Sequence, residues 1–349
     1  MAGRRAFPVL ASASIGFAAL SISALPAMAQ SAAEFYKGRQ ITLIVSSGPG
    51  GGYDTYSRLL ARFIGRHFPA GEPRIVVQNM PGADGITSLN YIANVAARDG
   101  SVIADTNGTM PFYNLLDGRN SKFDPLKLNW LGSISKQISV CIAWAESPFK
   151  TIDDAIARRM RLSGTGAGGW RVTLPRLYNL IAGTKFEMIT GYATPNDYLA
   201  IERGEVEGSC TTYDTLRATK QNWIVDKKIR FLTHFGVKAP EGLEGVQNGL
   251  DKVGDVTDRK AMELVLSQQE SGRPYVTAPE VPADRLKVLR DAFDATMKDP
   301  DFIEAARTGN LSHDPLNAAQ VNTLIRNAYA SPPEIVQRAK SLLERALPH

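Results

Sequence analysis

Ile41-Thr42-Leu43-Ile44-Val45-Ser46-Ser47-Gly48-Pro49-Gly50-Gly51-Gly52-Tyr53-Asp54 is the stretch whose reading decides the fold. Residues 41–45 form an apolar, β-branched run of the kind buried on both faces of a parallel sheet. A glycine-rich turn follows, and Asp54 is placed to N-cap a helix whose apolar face is Leu59, Leu60, Phe63 and Ile64. A strand, a turn and a helix in that order make half of a βαβ unit. Such a unit calls for further strands beside the first.

The strands follow. Ile75-Val76-Val77 is the next, then the turn Asn79-Met80-Pro81-Gly82-Ala83-Asp84-Gly85, with Asp84 capping a helix that carries Leu89, Ile92 and Val95. Val102-Ile103-Ala104 is a third strand. The middle of the chain repeats the pattern. Ile138 to Ala145 reads as β, and Thr151 caps a helix beginning at Ile152. Met160 to Ser163 leads into a second glycine-rich turn, Gly164 to Gly169, and a helix through Leu174, Leu177 and Leu180. Phe186 to Ile189, Val206 to Cys210 and Ile229 to Phe235 are further strands, and Thr194-Pro195 opens a helix between the first two. Beyond about Gly236 the pattern turns helical, with starts at Pro282 and at Ser331-Pro332. The expected fold is α/β, with parallel sheets covered by helices.

The N-terminal end addresses the compartment. Arg4 and Arg5 supply a positive start, Ala11 to Ile22 an apolar run, and Ala27-Met28-Ala29 a small-x-small cleavage pattern. The expectation is a signal peptide over 1–29, cleaved after Ala29, and a mature chain in the periplasm. The apolar run is too short for a retained anchor, since a span needs ~20 apolar residues. Sec export and a twin-arginine route both remain open for Arg4-Arg5-Ala6-Phe7. Residues 30–349 suffice for two lobes of roughly 100–200 residues each.

The formal net charge is +5, and both charged residues of the leader are basic, so the mature chain is nearer neutrality. No basic block interleaved with aromatics appears, which argues against a nucleic-acid partner. Cys141 and Cys210 lie in strand-like segments, either bridged or as two separate buried thiols. Two cysteines cannot by themselves build a zinc site, and no metal is expected.

Three turns carry the candidate chemistry: Ser46–Asp54, Asn79–Gly85 and Gly164–Gly169. Each leads from a strand's C-terminal end to a helix N-terminus, where open α/β sheets bind ligands. Free N–H groups and the helix dipole favour an anion there. No lysine follows the glycines as a phosphate loop requires. Gly164-x-Gly166-x-x-Gly169 does match the dinucleotide fingerprint, with Glu187 at the position of a ribose-binding acid. An exported NAD(P)-linked oxidoreductase using this turn is therefore the rival reading. His67, His234, His313 and His349 are scattered, and no Gly-x-Ser-x-Gly elbow or His-Glu-x-x-His motif occurs, so no catalytic residue is nominated. Tyr53, Trp170, Arg171 and Tyr192 stand beside the turns. An aromatic there is by default core, and Arg171 by default a solvated helix residue.

Phe35 to Val45 followed by Gly48-Pro49-Gly50-Gly51-Gly52-Tyr53-Asp54 resembles the start of the solute receptors of tripartite tricarboxylate transporters, the TctC-like or Bug family. Val76-Val77-Gln78-Asn79-Met80-Pro81-Gly82-Ala83-Asp84-Gly85 resembles their second hallmark, and Ala97-Arg98-Asp99-Gly100 fits the turn before their third strand. Gly191-Tyr192, Ala200 to Gly208 and Ala278-Pro279-Glu280-Val281-Pro282 follow in family order. The resemblance implies a type II periplasmic-binding-protein fold that closes on a carboxylated ligand, without catalysis or cofactor. It implies a first lobe of 30–137 and 237–349 and a second of 138–236.

The resemblance also implies that main-chain N–H groups and waters hold the carboxylate. It nominates Ser47, Gly50, Gly51, Gly52 and Asp54 on one side, with Gly164, Thr165, Gly166 and Ala167 on the other; Tyr53, Trp170 and Tyr192 are ligand-binding candidates by their position beside the turns, not by the resemblance. Tyr53 and Trp170 stand where the family has smaller residues, which points to an aromatic or longer apolar acid. The implied partners are the membrane permease subunits of a tripartite transporter, or a sensor kinase if the receptor has no transport role. The chain is expected to act as a monomer.

Overall fold

The run at 41–45 is a strand of the first of two sheets. The computed structural model describes residues 3, 31–164, 169–192 and 196–347. The strands are Gln40–Val45 (β1), Arg74–Asn79 (β2), Val102–Asp105 (β3), Asn129–Ser133 (β4), Ser139–Trp144 (β5) and Met160–Ser163 (β6). Phe186–Ile189 (β7), Gly208–Thr212 (β8), Ile229–His234 (β9), Pro274–Thr277 (β10) and Leu316–Asn317 (β11) complete them. The first sheet has the order β11-β4-β10-β3-β1-β2 and the second β7-β6-β8-β5-β9. The two-sheet α/β architecture read from the sequence is the one found.

Period-2 alternation places the side chains. In β1, Ile41 and Leu43 pack on one face with Phe63, Tyr275 and Phe293, while Ile44 packs on the other with Leu89, Trp130 and Val276. In β5, Cys141 and Ala143 face Leu162, Leu177 and Leu232, and Val140 and Ile142 face Tyr198, Leu216 and Trp223. Both sheets are therefore covered on both faces, as continuous apolar strands require.

The sheets are mixed, not wholly parallel as expected. β10 runs antiparallel to β3 and β4, and β5 antiparallel to β8 and β9. The reason is where the chain crosses. β4 ends at Ser133 and the chain passes directly into β5 of the other sheet; residues 267–273 return it to β10. A strand that starts at the end where its parallel neighbours finish must run against them. Ile134 N–H donates to Arg273 O at 3.2 Å and Gln137 N–H to Gln269 O at 2.9 Å, so the two crossings lie side by side.

The helical tail divides between the sheets. Helices Ala283–Thr296 and Pro300–Thr308 bury Leu289, Phe293 and Phe302 against the first sheet. Helices Val256–Leu266 and Pro333–Ala346 instead share the second sheet's core with Leu174, Leu177 and Tyr178. The last helix buries the stripe Ile335, Ala339, Leu342 and Ala346, and complete burial of a leucine such as Leu342 stabilises by about 1.5–3 kcal/mol. The assignment of all of 237–349 to the first lobe does not hold for these two helices.

Ala32–His349 form one compact unit and Met1–Ser31 another. The expected signal peptide, Gly3 apart, lies outside the described residues. So do Thr165, Gly166 and Ala167, the Asp84 side chain, and Thr194-Pro195. Among the described residues no helix is long and apolar enough to cross a membrane.

Candidate functional site between the two sheets

The first turn is built by Asp54, though not as the helix cap. Gly51 is the N-cap of helix Gly52–Phe63, with no side-chain cap, and Asp54 lies in the first turn of the helix. Its carboxylate folds back on the loop. Oδ2 accepts from Gly50 N–H at 2.8 Å and Arg58 Nε at 2.9 Å, and Oδ1 accepts from Asn79 Nδ2 at 2.9 Å. Hydrogen bonding from Arg58, helped by Gly50 and Asn79, lowers its pKa to about 2 against the cost of burial. Asn79 Nδ2 also donates to Ser47 O at 2.9 Å, tying the end of β2 to the same turn. The Gly50 amide is thereby engaged, and Asp54 organises the turn.

Under this turn the structure buries charge. Ser46 N–H and Oγ donate to Asp105 Oδ1 at 2.8 and 2.9 Å, and Ser57 Oγ donates to Oδ2. Desolvation raises the pKa of Asp105 to about 6, although those hydrogen bonds pull it down. The guanidinium of Arg273, 5 % exposed, sits 4.0 Å from the Tyr56 ring centroid and 5.0 Å from that of Tyr53. A Cβ on Gly52 would lie 3.4 Å from its Nη1 and Nη2.

A cavity of about 350 Å³ opens beside this network, at the C-terminal ends of the parallel strands. Tyr53 and Asn107-Gly108-Thr109 line it from the first sheet, Gln137, Ser139, Gln268 and Gln269 from the crossings, and Trp170, Arg171, Leu174 and Thr211-Thr212 from the second sheet. Tyr53 is held by its hydroxyl, which lies 3.1 Å from Gln137 Oε1 and 3.2 Å from Gly272 O. Burial drives its pKa up to about 12, so it stays a neutral donor. Trp170 Nε1 donates to Ser139 Oγ at 2.9 Å. Trp170 and Arg171 open helix Trp170–Ala182, whose N-cap, Gly169, supplies no side chain to satisfy the first N–H groups.

Of the nominated residues, Tyr53 and Trp170 meet in this cavity. Ser47, Gly50, Gly51, Gly52 and Asp54 form the adjoining turn outside its lining. Gly164 is buried behind the helix start, where a Cβ would lie 2.5 Å from Val172 Cγ2, and its N–H donates to Ile189 O at 2.9 Å. Tyr192 packs on the second sheet's other core and bonds Glu205. Arg171 overturns its default as a solvated residue. Its Nη2 forms an ion pair with fully buried Asp197 and lies 3.4 Å from Ser209 Oγ. Glu187, the ribose acid of the rival reading, is paired with Arg159 through both oxygens and does not line the cavity.

Asn107-Gly108-Thr109 follow β3 as the glycines follow β1, a positional signal present in the sequence. Gln137, Gln268 and Gln269 had none, because only the side-by-side crossings bring them to the site. Cys141 and Cys210, directly opposed on β5 and β8, form a disulfide, and Cys210 also touches the cavity.

Two α/β sheets joined by paired crossings, with a polar cavity between them, are the architecture of the type II periplasmic-binding-protein fold. The particular likeness is to the TctC and Bug receptors. No family model matches the chain. A Cupriavidus necator protein described as "UPF0065 protein in gbd 5'region" is 26% identical over 350 residues, covering 98% of this chain and 97% of that protein. A TctC solute binding protein from Polaromonas, solved without ligand, superposes with a TM-score of 0.68 at 18% identity, over 88% of this chain and 99% of the other. An R. palustris protein solved with adipate gives 0.61 at 17% identity, over 88% and 97%. At these identities the structural likeness is one of fold.

Proposed function

We propose that this chain is an exported receptor that captures a small organic carboxylate between two lobes and performs no catalysis. The first lobe is the sheet containing β1 with its helices; the second is the sheet containing β5 together with helices Val256–Leu266 and Pro333–Ala346. One observation carries the choice of ligand. Among the described residues the cavity has no acidic side chain, many hydroxyl and amide groups, and a single charged group, Arg171, at an uncapped helix N-terminus. Such a lining favours an anion and disfavours a cation. The adipate held by the R. palustris relative agrees with this chemistry.

Tyr53 would close the site from the first lobe and Trp170 and Arg171 from the second. Ligand would shift the population towards the closed form. That form would be read in the periplasm by the membrane permease subunits of a tripartite transporter. Thermal unfolding against a panel of mono-, di- and tricarboxylates and aromatic acids tests the reading. A ligand at a hundredfold excess over its Kd stabilises by about 2.7 kcal/mol. No response anywhere in the panel, or a dinucleotide absorbing in the purified protein, would overturn it.

A further inference from the structure

We infer that Asn107-Gly108 is a self-modifying site: Asn107 deamidates in the folded chain, and the carboxylate that results closes the cavity to anions. When glycine follows asparagine, the glycine amide nitrogen reaches the side-chain carbonyl carbon most freely, because glycine has no Cβ to obstruct it. The chain has two such pairs, Asn107-Gly108 and Asn248-Gly249. The structure separates them. Asn248 is pinned at both ends of its amide: Nδ2 donates to Gly236 O at 2.9 Å, and Oδ1 accepts from Leu250 N–H at 3.0 Å. It caps the short helix Gly249–Lys252, and the Gly249 carbonyl accepts from the Tyr178 hydroxyl at 2.7 Å.

Asn107 lines the cavity, and its Nδ2 has no hydrogen-bond partner among the described residues. Oδ1 accepts from Thr109 N–H at 3.1 Å, which folds the side chain back over the Gly108 peptide. The Gly108 N–H donates to the Tyr53 hydroxyl over a long 3.4 Å. Packing imposes the glycine, since a Cβ at 108 would lie 3.0 Å from Gln268 O, Ser271 O and Gly272 Cα. Hydroxide takes the Gly108 amide proton, the nitrogen bonds to Asn107 Cγ, and the Cγ–Nδ2 bond breaks as water protonates the departing ammonia. Water then opens the succinimide ring to aspartate or isoaspartate. The net change is OH for NH2 on the side chain, and a neutral lining group becomes an anion. Among the described residues no other acidic side chain lines the cavity, so the new charge stands unopposed against an anionic guest. The closure rests on the receptor reading above; the modification does not.

The experiment ages the full chain at mildly alkaline pH, in native buffer and in urea, and follows both asparagines by peptide mapping. In native buffer Asn107 is expected to convert several-fold faster than Asn248; in urea the two should convert at similar rates. Binding is read by calorimetry with the acid of the carboxylate panel that most stabilises the wild type. Asn107→Asp should bind it about tenfold more weakly. In aged wild type the binding stoichiometry should fall in step with conversion, and Asn107→Gln, whose longer side chain does not close the ring, should show no such fall. Conversion of Asn248 before Asn107 in native buffer, or an Asn107 that converts only in urea, overturns the inference. So does a folded Asn107→Asp variant, or a fully converted wild type, that keeps the original affinity. If no acid of the panel binds the wild type, the receptor reading fails and the closure with it, while the peptide map still decides the modification.

Discussion

The Arg273 guanidinium lies 2.9 Å from the Asp214 carboxylate, and this pair links the two sheets. Arg273 immediately precedes β10 of the first sheet, and Asp214 opens helix Tyr213–Thr219 after β8 of the second. Both side chains are more than nine-tenths buried. Among the described residues, two nitrogens of the arginine, Nε and Nη1, have no hydrogen-bond partner, nor does Asp214 Oδ1. The pair therefore sits buried at the junction of the two sheets.

Removing one half strands the other. Asp214→Ala is expected to cost about 3–5 kcal/mol in denaturant unfolding, because Arg273 is left charged and buried. Replacing both, as Arg273→Met with Asp214→Leu, should recover most of it. A loss below about 1 kcal/mol for Asp214→Ala would mean that water reaches the guanidinium.

Two aspartates near the first turn should give opposite pH signatures. The Asp54 pKa is held at about 2, below its ordinary 3.8, so its contribution is present above about pH 4 and lost as pH falls towards 2. Asp105 is raised from 3.8 to about 6, so the folded chain holds its proton more tightly than the unfolded one. Its effect on stability is most favourable below about pH 4 and falls, by on the order of 3 kcal/mol, as pH rises to about 6. Unfolding curves of Asp54→Asn and Asp105→Asn against wild type between pH 2 and 7, roughly the window set by these shifts, separate the two. Parallel curves for wild type and Asp105→Asn between those pKa values would show that the carboxyl is solvated.

The disulfide spans a sequence separation of 69. Chain-entropy reasoning assigns it about 4 kcal/mol. Cys141→Ser with Cys210→Ser should lower the unfolding midpoint accordingly, and mass spectrometry with and without reductant should detect the bridge in purified wild type. Masses identical under both conditions would contradict it.

Gly108 touches both the cavity and the second crossing. A Cβ there would lie 3.0 Å from Gln268 O, Ser271 O and Gly272 Cα, all backbone atoms that cannot turn aside. Gly108→Ala should cost about 1–3 kcal/mol through overpacking and weaken ligand-induced stabilisation. An unchanged melting temperature would show that the crossing yields.

Periodicity and glycine placement in the sequence determined the strands from β1 to β3 and from β5 to β9, the two-sheet class, and the positions of Tyr53 and Trp170 at helix starts. These features depend on neighbours a few residues apart, and local propensity and alternation record them. β10 escaped because Pro274-Tyr275-Val276-Thr277 is short and is a strand only through its partners β3 and β4. Gln137, Gln268, Gln269 and the Arg273–Asp214 and Arg171–Asp197 pairs were decided by tertiary structure alone. Each joins residues distant in the chain, and what makes them significant, burial of charge beside a shared cavity, exists only after the crossings have brought the two sheets together.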